Sequence, residues 1–332
     1  MHVIENQAPQ APYVSVLVPV CNTAKFLPEC LTSLLNQSLK NIEIICLNDG
    51  STDNSLDILK SFQNRDGRIR IVDKENEGYG ATMNLGVHLA KGDYIGIVES
   101  DDYAHKHMFK KLYTFAQKHD CDIVKCNYYE HSETGNVLCK PFAAFPKKRV
   151  FDPREYRAIT GILPIIWAAL YRRSMLLDNA VRFNETPGAS FQDTSFVFQC
   201  WACARRVALL PKGLIYYRVD NAASSVKSSK KVCAVCKEYE SSYRFLEKDP
   251  KRMEAFREII HVNKIGTYKW NYDRIDAASK LEFAQAMARE YRQARDKGEL
   301  QERLFDPHDW ALLEQLMENP EEFVKTHPET MY

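Results

Sequence analysis

The sequence lacks a charge imbalance and a long apolar run. Its 45 Lys and Arg residues oppose 44 Asp and Glu residues, so the formal net charge of the 332-residue chain is +1. A chain so close to neutral has no general field that attracts nucleic acid, and we predict no nucleic-acid partner. No segment reaches the roughly 18 apolar residues of a membrane span, and residues 1–12 lack a signal-peptide pattern. We therefore predict a cytoplasmic protein and leave attachment to the inner face of the membrane open.

The cysteines do not form the dense framework of a small secreted domain. Ten of them are scattered through apolar segments of a long chain, which favours reduced, buried thiols. Two Cys-x-x-Cys pairs, Cys200/Cys203 and Cys233/Cys236, leave a four-thiolate zinc site as an alternative. Because the separation between the pairs is longer than in usual zinc sites, we favour core packing.

Strand-like and helix-like segments alternate along the first hundred residues. Short β-rich apolar runs occur at residues 14–18, 42–47, 69–72 and 94–98, with amphipathic helical patterns between them. This alternation predicts right-handed βαβ units in an α/β fold, with a Rossmann-like, mainly parallel, doubly wound sheet.

The pattern divides the chain into three parts. Residues 1–12 are expected to be a flexible N-terminus, and residues 13–225 an α/β domain with halves at 13–105 and 106–225. Residues 226–332 are charged and amphipathic with few glycines, which predicts a helical C-terminal region. Its mixed charge indicates that it braces the domain or forms a homodimer.

Polar residues follow each of the four predicted strands. They are Asn22, Asp49, Asn76 and Asp101. Because the carboxyl ends of parallel strands meet at one edge of a sheet, and ligands bind beyond that edge, we predict a site there.

The acidic run at residues 99–102 suggests what the site binds. Glu99 and Asp101 lie two residues apart beyond a buried strand. Carboxylates in this arrangement can bind Mg²⁺ or Mn²⁺, with the other ligands supplied by water and the phosphates of a nucleotide diphosphate. The alternative is that Asp101 and Asp102 cap a helix beginning near His105.

Four motifs together resemble the nucleotide-binding half of family 2 glycosyltransferases. They are PVCN at 19–22, NDGSTD at 48–53, NEGYG at 76–80 with NLG at 84–86, and KGDY at 91–94 running into ESDD at 99–102. The resemblance covers residues 13–105 and implies a GT-A fold with inverting, metal-dependent sugar transfer in polysaccharide biosynthesis. The implied donor is a nucleotide sugar, most often a UDP-sugar, and the implied acceptor a hydroxyl of a glycan, glycolipid or lipid-linked molecule.

The resemblance also implies the nucleotide-binding residues. They are Pro19, Val20, Asn22, Asp49, Asn76, Gly78, Gly80, Asn84, Glu99, Ser100 and Asp101. Asp101 matches the metal-coordinating final Asp of the family's D-x-D motif, and Glu99 replaces the first Asp with a side chain one methylene longer. The two glycines would permit close backbone approach and positive φ. For Asp53, capping of the following helix is an alternative to ligand contact.

The second half must supply a base and an acceptor pocket. Residues 191–196 are similar to the family's Glu-Asp segment, with Gln192 in place of the Glu and Asp193 retained. We therefore predict Asp193 as the general base, with helix capping as the alternative. Trp167 is a candidate for stacking on a sugar, against core packing, and Arg218 for neutralising diphosphate, against a salt bridge.

Two other functions stay open at this point. A sugar nucleotidyltransferase would also use a doubly wound sheet and Mg²⁺, but the loop after the first strand lacks the Gly-rich, basic sequence that holds a triphosphate. A glycosyltransferase-like nucleotide-binding protein without turnover is supported by the departures at Glu99 and Gln192.

Overall fold

The computed structural model describes residues 2–4, 11–221 and 232–331, and one mixed sheet of eleven strands runs through these ranges. The strands are β1 (His2–Ile4), β2 (Val14–Val20), β3 (Ile42–Asp49), β4 (Ile69–Lys74), β5 (Tyr94–Ile97), β6 (Tyr103–Ala104), β7 (Ile123–Ser132), β8 (Gly135–Cys139), β9 (Val150–Phe151), β10 (Ala169–Arg172) and β11 (Val207–Arg218). Their order is β1-β4-β3-β2-β5-β10-β7-β11-β6, with β8 beside β7 and β9 beside β11.

Strands β2 to β5 form the parallel part of the sheet that the sequence predicts. β2 pairs in parallel with β3 and with β5, and β3 pairs in parallel with β4. The residues of β2, β3 and β5 are buried throughout, as expected for parallel strands covered on both faces. The carboxyl ends of these strands therefore share one edge, and the loops with the predicted site residues meet there.

The second half of the sheet departs from the predicted parallel arrangement. β10 lies antiparallel between β5 and β7, while β7 and β11 pair in parallel. β10 has four residues and follows an irregular stretch, so its sequence carries too few alternations to reveal its direction. The sheet is mostly parallel in its first half and mixed in its second.

Helices cover both faces of the sheet. They are α1 (Leu27–Leu35), α2 (Ser55–Gln63), α3 (Tyr79–Leu89), α4 (Met108–His119), α5 (Arg173–Asp178), α6 (Gln192–Cys203), α7 (Ala234–Glu247), α8 (Pro250–Phe256), α9 (Ile259–Arg274), α10 (Ala277–Asp296), α11 (Pro307–Glu318) and α12 (Pro320–Thr326), with 3₁₀ helices at Pro153–Gly161 and Glu302–Leu304. Helices α1, α2 and α4 share one core with Val16, and α3 and α6 share the other with Leu17. Adjacent residues of one strand thus feed opposite cores.

The C-terminal helices belong to one of these two cores. Tyr268 of α9 and Met287 of α10 are fully buried in the same apolar cluster as Leu17 of β2 and Trp201 of α6. This packing agrees with the predicted helical C-terminal region that braces the domain. Among the described helices, none has the length and apolarity that crossing a bilayer requires.

The ends of the predicted segments differ in part from the structure. The N-terminus predicted to be flexible contains β1, which adds antiparallel to the edge strand β4. Residues 1, 5–10, 222–231 and 332 lie outside the described ranges, and so does the predicted boundary between residues 225 and 226.

All ten cysteines fall within the described ranges and are free thiols. Cys200 and Cys203 are buried in α6, whereas Cys233 and Cys236 lie at the start of α7. In the described part of the chain, no group of three or more His, Cys, Asp or Glu side chains is arranged to hold a metal ion. The zinc alternative is therefore wrong, because the two pairs do not converge.

Candidate active site

The loops after β2 and β3 are joined by side-chain hydrogen bonds. Asn22 has a left-handed backbone (φ 55°), and its Oδ1 accepts hydrogen bonds from Thr52 N at 2.7 Å and Thr52 Oγ1 at 3.2 Å. Asp53 accepts from Ala24 N at 3.0 Å and from Ser55 N at 2.9 Å. Desolvation raises the pKa of Asp53, but these hydrogen bonds outweigh it and lower the pKa. Ser55 is the first residue of α2, so the Asp53 carboxylate accepts from the amide at that helix terminus, and this agrees with the capping alternative. Asn54, which directly precedes the helix, makes no side-chain hydrogen bond to it.

Pro19 and Val20 are the last residues of β2. Both are buried and pair with Leu47 and Asn48 of β3. The nucleotide contact predicted for them stays a prediction.

Asp49 organises residues 76–80, which follow β4 and which we call the glycine loop. Its carboxylate accepts hydrogen bonds from Lys74 Nζ at 2.5 Å, from Glu77 N at 3.0 Å and from Gly78 N at 3.1 Å. Asp49 is 5% exposed. Burial alone would raise the pKa of Asp49, but the hydrogen bond from Lys74 and the loop amides lower it. Asn76 Nδ2 donates to the Asp49 carbonyl at 2.9 Å. Asp49 and Asn76 therefore shape the loop, whatever they contact in a ligand.

The glycines of this loop permit close backbone approach, but to another loop of the chain. Gly78 has φ 93°, as predicted, whereas Gly80 lies within α3 without positive φ. A Cβ at Gly80 would lie 1.9 Å from the carbonyl oxygen of Asn184. Tyr79 N also donates to the Gly188 carbonyl at 3.2 Å. The approach is to residues 183–190, which we call the clasp loop.

Asn84 contacts the clasp loop as well. Its Oδ1 accepts from Phe183 N at 2.9 Å, and its Nδ2 donates to the Phe183 carbonyl and to Glu185 Oε1, each at 2.9 Å. With these contacts the side-chain amide joins the two halves of the domain. These three hydrogen bonds of the Asn84 side chain all go to the clasp loop, so the predicted nucleotide contact stays a prediction.

The acidic run lies at the carboxyl end of β5. Glu99 Oε1 accepts a hydrogen bond from Tyr79 Oη at 2.7 Å, and burial raises the pKa of Glu99 to about 8, with Asp101 and Asp193 adding to the shift. Ser100 Oγ accepts from Thr23 Oγ1 at 2.9 Å. The helix-capping alternative for this run is wrong, because β6 follows it and α4 begins only at Met108.

Asp101 and Asp102 are both held by the end of β11 and the residues after it. Asn221 Nδ2 donates to Asp101 Oδ2 at 2.8 Å, and Arg218 N donates to Asp102 Oδ1 at 2.8 Å. Asp102 is 1% exposed and its Oδ2 has no hydrogen-bond partner. Burial and the charge of Asp101 raise the pKa of Asp102 well above its usual value.

The donor set fits a hard divalent cation. Glu99 and Asp101 present carboxyl oxygens, which Mg²⁺ and Mn²⁺ prefer, and Oδ2 of the neighbouring Asp102 is buried without a hydrogen-bond partner. A closed cage of three or more such side chains is absent from the described residues. A cation held here would therefore take its other ligands from a bound molecule and water.

Two secondary candidates are resolved by their contacts. Arg218 pairs with Glu29 Oε2 at 2.6 Å, which shows the salt bridge, and its Nε donates to the Asp101 carbonyl at 3.0 Å. Its contact with diphosphate stays a prediction. Trp167 stacks on Tyr217 with ring centres 5.1 Å apart and is partly buried against the core, which favours packing.

Asp193 lies in the first turn of α6, near enough to the acidic run for its charge to act on Glu99. Burial raises the pKa of Asp193 to about 6, partly offset by hydrogen bonds from the first-turn residues Thr194 and Asp193 itself. Its charge contributes to the raised pKa values of Glu99 and Tyr79. The carboxylate thus accepts hydrogen bonds at its own helix terminus, which agrees with the capping alternative, and its role as a base stays a prediction.

Gln192 has a role that the sequence did not reveal. It is 2% exposed, its Oε1 accepts from Ser190 N, and its Nε2 donates to Thr186 Oγ1 at 2.8 Å and the Gly188 carbonyl at 3.0 Å. An amide can both donate and accept here, which a carboxylate could not. Gln192 therefore holds the clasp loop closed.

Comparison with known sequences identifies relatives over most of the chain. The family model for Glycosyl transferase family 2 matches residues 15–178. The uncharacterized glycosyltransferase EpsJ of Bacillus subtilis is 35% identical over 217 residues, which are 62% of this chain and 61% of EpsJ. The glycosyltransferase GlyG of Streptococcus pneumoniae is also 35% identical over 217 residues, which are 62% of this chain and 70% of GlyG. The match to EpsJ thus spans about three fifths of that protein.

Comparison with solved structures shows the fold. S. aureus TarS 1-349 in complex with UDP has a TM-score of 0.56 at 19% identity and covers 86% of this chain and 91% of TarS 1-349. The mannosyltransferase PcManGT from Pyrobaculum calidifontis, in complex with GDP-Man and Mn²⁺, has a TM-score of 0.53 at 15% identity and covers 96% of this chain and 88% of PcManGT. The likeness confirms the predicted GT-A architecture.

Proposed function

Because the chain belongs to glycosyl transferase family 2, we propose that it is an inverting glycosyltransferase with a UDP-sugar donor. The transferred group is a hexosyl or N-acetylhexosaminyl unit, and the acceptor is a hydroxyl of a glycan, glycolipid or lipid-linked molecule. The observation that carries the proposal is that Asp193, in the first turn of α6, lies near enough to the acidic run for its charge to add to the raised pKa of Glu99. Neighbours of the same fold support the donor class, since one is described with UDP and another with GDP-Man.

The acidic run is proposed to bind the donor diphosphate with Mn²⁺ or Mg²⁺. The chemistry that a divalent ion supplies at Glu99 and Asp101 is neutralisation of charge on the diphosphate as it leaves. Asn221, through its 2.8 Å hydrogen bond to Asp101 Oδ2, fixes the orientation of that carboxylate. A solved neighbour described with Mn²⁺ supports the choice of metal.

Asp193 is proposed to act as the general base. It accepts the proton of the acceptor hydroxyl while that oxygen forms its bond to the anomeric carbon and the bond from this carbon to the diphosphate oxygen breaks. A single displacement inverts the configuration at the anomeric carbon. The raised pKa suits the role, because a base that titrates near the working pH is both deprotonated and able to hold a proton.

The reaction is proposed to take place in the cytoplasm. Ten free thiols in the described ranges are typical of a reducing compartment. The C-terminal helices share a core with the catalytic domain, which favours bracing over their alternative use as a homodimer interface.

A donor panel tests the proposal against its two alternatives. We would incubate the protein and Mn²⁺ with UDP-glucose, UDP-galactose, UDP-GlcNAc and GDP-mannose, and measure thermal stabilisation and nucleotide release. The proposal predicts that a UDP-sugar stabilises the protein against heat, since a ligand that binds the folded state raises its apparent stability. The same UDP-sugar should also be turned over. Stabilisation without turnover would indicate a binding protein, and pyrophosphate release from UTP and a sugar phosphate would indicate a nucleotidyltransferase.

A further inference from the structure

The clasp loop is held from two sides. On the nucleotide side it contacts α3 through Gly80 and Asn84. On the other side it contacts α7, a helix of the C-terminal region, through hydrogen bonds to Asn184. The family match ends at residue 178, so these second contacts lie outside the matched segment.

Glu238 of α7 is the centre of the second set of contacts. It is 1% exposed, and its Oε2 accepts hydrogen bonds from Ser195 Oγ and from Asn184 Nδ2, the latter at 2.9 Å. Ser241, one turn further along α7, donates to Asn184 Oδ1 at 2.7 Å. A single carboxylate thus joins the clasp loop to the first turns of α6.

A buried carboxylate is a costly way to pack two helices. Without hydrogen bonds its burial costs several kcal/mol, and an apolar side chain would fill the same space without that cost. Glu238 accepts hydrogen bonds from two segments, and an apolar residue could not do this. One of those segments is the start of α6, where Asp193 lies two residues before Ser195.

Helix α9 holds the same terminus from another direction. Phe191, the N-cap of α6, has φ 60°, a left-handed conformation that a bulky side chain rarely adopts. Trp270 packs edge-on against Phe191 with ring centres 5.7 Å apart, and the Arg274 guanidinium lies 4.8 Å from the Phe191 ring centre. The strained start of α6 is therefore stabilised by contacts from the C-terminal region.

We propose that Glu238 is a positioning residue for Asp193, so that the C-terminal helices complete the active site. The inference rests on the proposed function for its catalytic consequence. Its structural part is independent: the hydrogen bonds of Glu238 fix the clasp loop and the first turns of α6 relative to the acidic run.

Three variants of the full chain test the proposal. Glu238→Ala removes both hydrogen bonds, whereas Glu238→Gln retains an oxygen that accepts them. Tyr243→Phe is the matched control, because Tyr243 also lies on α7 and its hydroxyl donates to Glu299 and not to the clasp loop. For each variant we would measure hydrogen exchange of peptides covering residues 183–196, and kcat and donor KM for UDP-sugar turnover.

We expect Glu238→Ala to speed exchange in residues 183–196 and to lower kcat by about 100-fold with donor KM nearly unchanged, since small displacements of a catalytic group cost about that much. Glu238→Gln should restore most of the rate, and Tyr243→Phe should leave both the exchange and kcat near wild type. The positioning role is overturned if Glu238→Ala changes kcat no more than Tyr243→Phe, or if exchange in residues 183–196 is unaltered. If the wild type turns over no UDP-sugar, the proposed function fails instead, while the exchange result still decides whether Glu238 fixes the loop.

Discussion

The phenolic hydroxyl of Tyr79 donates a 2.7 Å hydrogen bond to Oε1 of Glu99. Tyr79 is the first residue of α3, directly after Gly78, and its ring packs edge-on against Phe183 of the clasp loop at 5.9 Å. The hydrogen bond therefore connects the glycine loop, the clasp loop and the acidic run. It also fixes a carboxylate whose extra methylene would otherwise give it more freedom.

Removal of this hydroxyl should weaken nucleotide binding. In Tyr79→Phe the Glu99 carboxylate loses its donor in a buried site, and a hydrogen bond to a charged group contributes about 1.5–3 kcal/mol. We expect UDP affinity in Mn²⁺ to fall by about tenfold or more, measured by calorimetry. Tyr272→Phe removes a 2.7 Å hydrogen bond to the His327 carbonyl far along the chain and should leave UDP affinity unchanged. Equal affinities for the two variants would contradict the role of Tyr79.

The base assignment predicts a rate loss and a pH profile. Asp193→Asn should lower kcat by about 10²–10⁴-fold with UDP affinity retained, the range for loss of a general base. Burial raises the pKa of Asp193 to about 6, and only the deprotonated form accepts a proton. In the wild type, kcat/KM should therefore rise with pH up to about 6 and level off above it. Asp57→Asn, an exposed Asp in the first turn of α2, is the control; a flat profile from pH 5 to 7 would exclude Asp193 as the base.

The close approach at Gly80 predicts an unusually sensitive glycine. In Gly80→Ala the new Cβ would lie 1.9 Å from the Asn184 carbonyl oxygen, which is backbone and cannot move aside cheaply. We expect thermal unfolding to shift down and turnover to be lost as the clasp loop detaches. Gly266→Ala, in α9 with open space around its Cβ position, should instead stabilise the fold by up to about 1 kcal/mol. If Gly80→Ala keeps the wild-type unfolding temperature and turnover, the clasp loop can move away from α3 at this point without loss.

The buried Glu238 predicts a stability difference that grows with pH. Burial raises the pKa of Glu238 to about 7, so the folded chain holds this proton more tightly than the unfolded chain. Its contribution to stability is complete below the unfolded pKa and is lost as pH rises through about 7. The side chain of Glu238→Gln cannot ionise. Between pH 5 and pH 8 the free energy of unfolding of the variant should therefore rise by about 3 kcal/mol relative to that of the wild type, measured by denaturant unfolding. A difference that is constant with pH would show that Glu238 keeps an ordinary pKa.

The sequence predicted the rim of the site better than the contacts behind it. Asn22, Asp49, Asn76 and Asp101 meet at the carboxyl ends of parallel strands because strand direction alone brings their loops together. The contact of Gly80 with Asn184 joins segments about a hundred residues apart, and no local pattern encodes it. The same applies to Glu238, which reads as a polar residue on an amphipathic helix until the position of Ser195 is known.

Motif resemblance also assigned ligand contacts that local geometry explains differently. Asn84 and Asp49 stand where the family motif has nucleotide-binding residues, yet their side chains bind the clasp loop and the glycine loop of this chain. A motif records which residue type is required at a position. The physical reason for the requirement, ligand contact or loop support, appears only when the hydrogen-bond partners are known.

The central proposal is that Asp101 would hold a divalent ion that neutralises the donor diphosphate, and calorimetry of UDP binding tests it most directly. UDP would be titrated into the wild type, Asp101→Asn and Asp93→Asn, an exposed Asp just before β5 at the opposite end of that strand, each with Mn²⁺ and with EDTA. We predict that Mn²⁺ strengthens UDP binding to the wild type and to Asp93→Asn and has no effect on Asp101→Asn. The account is contradicted if Asp101→Asn shows the same Mn²⁺-dependent gain in affinity as the wild type.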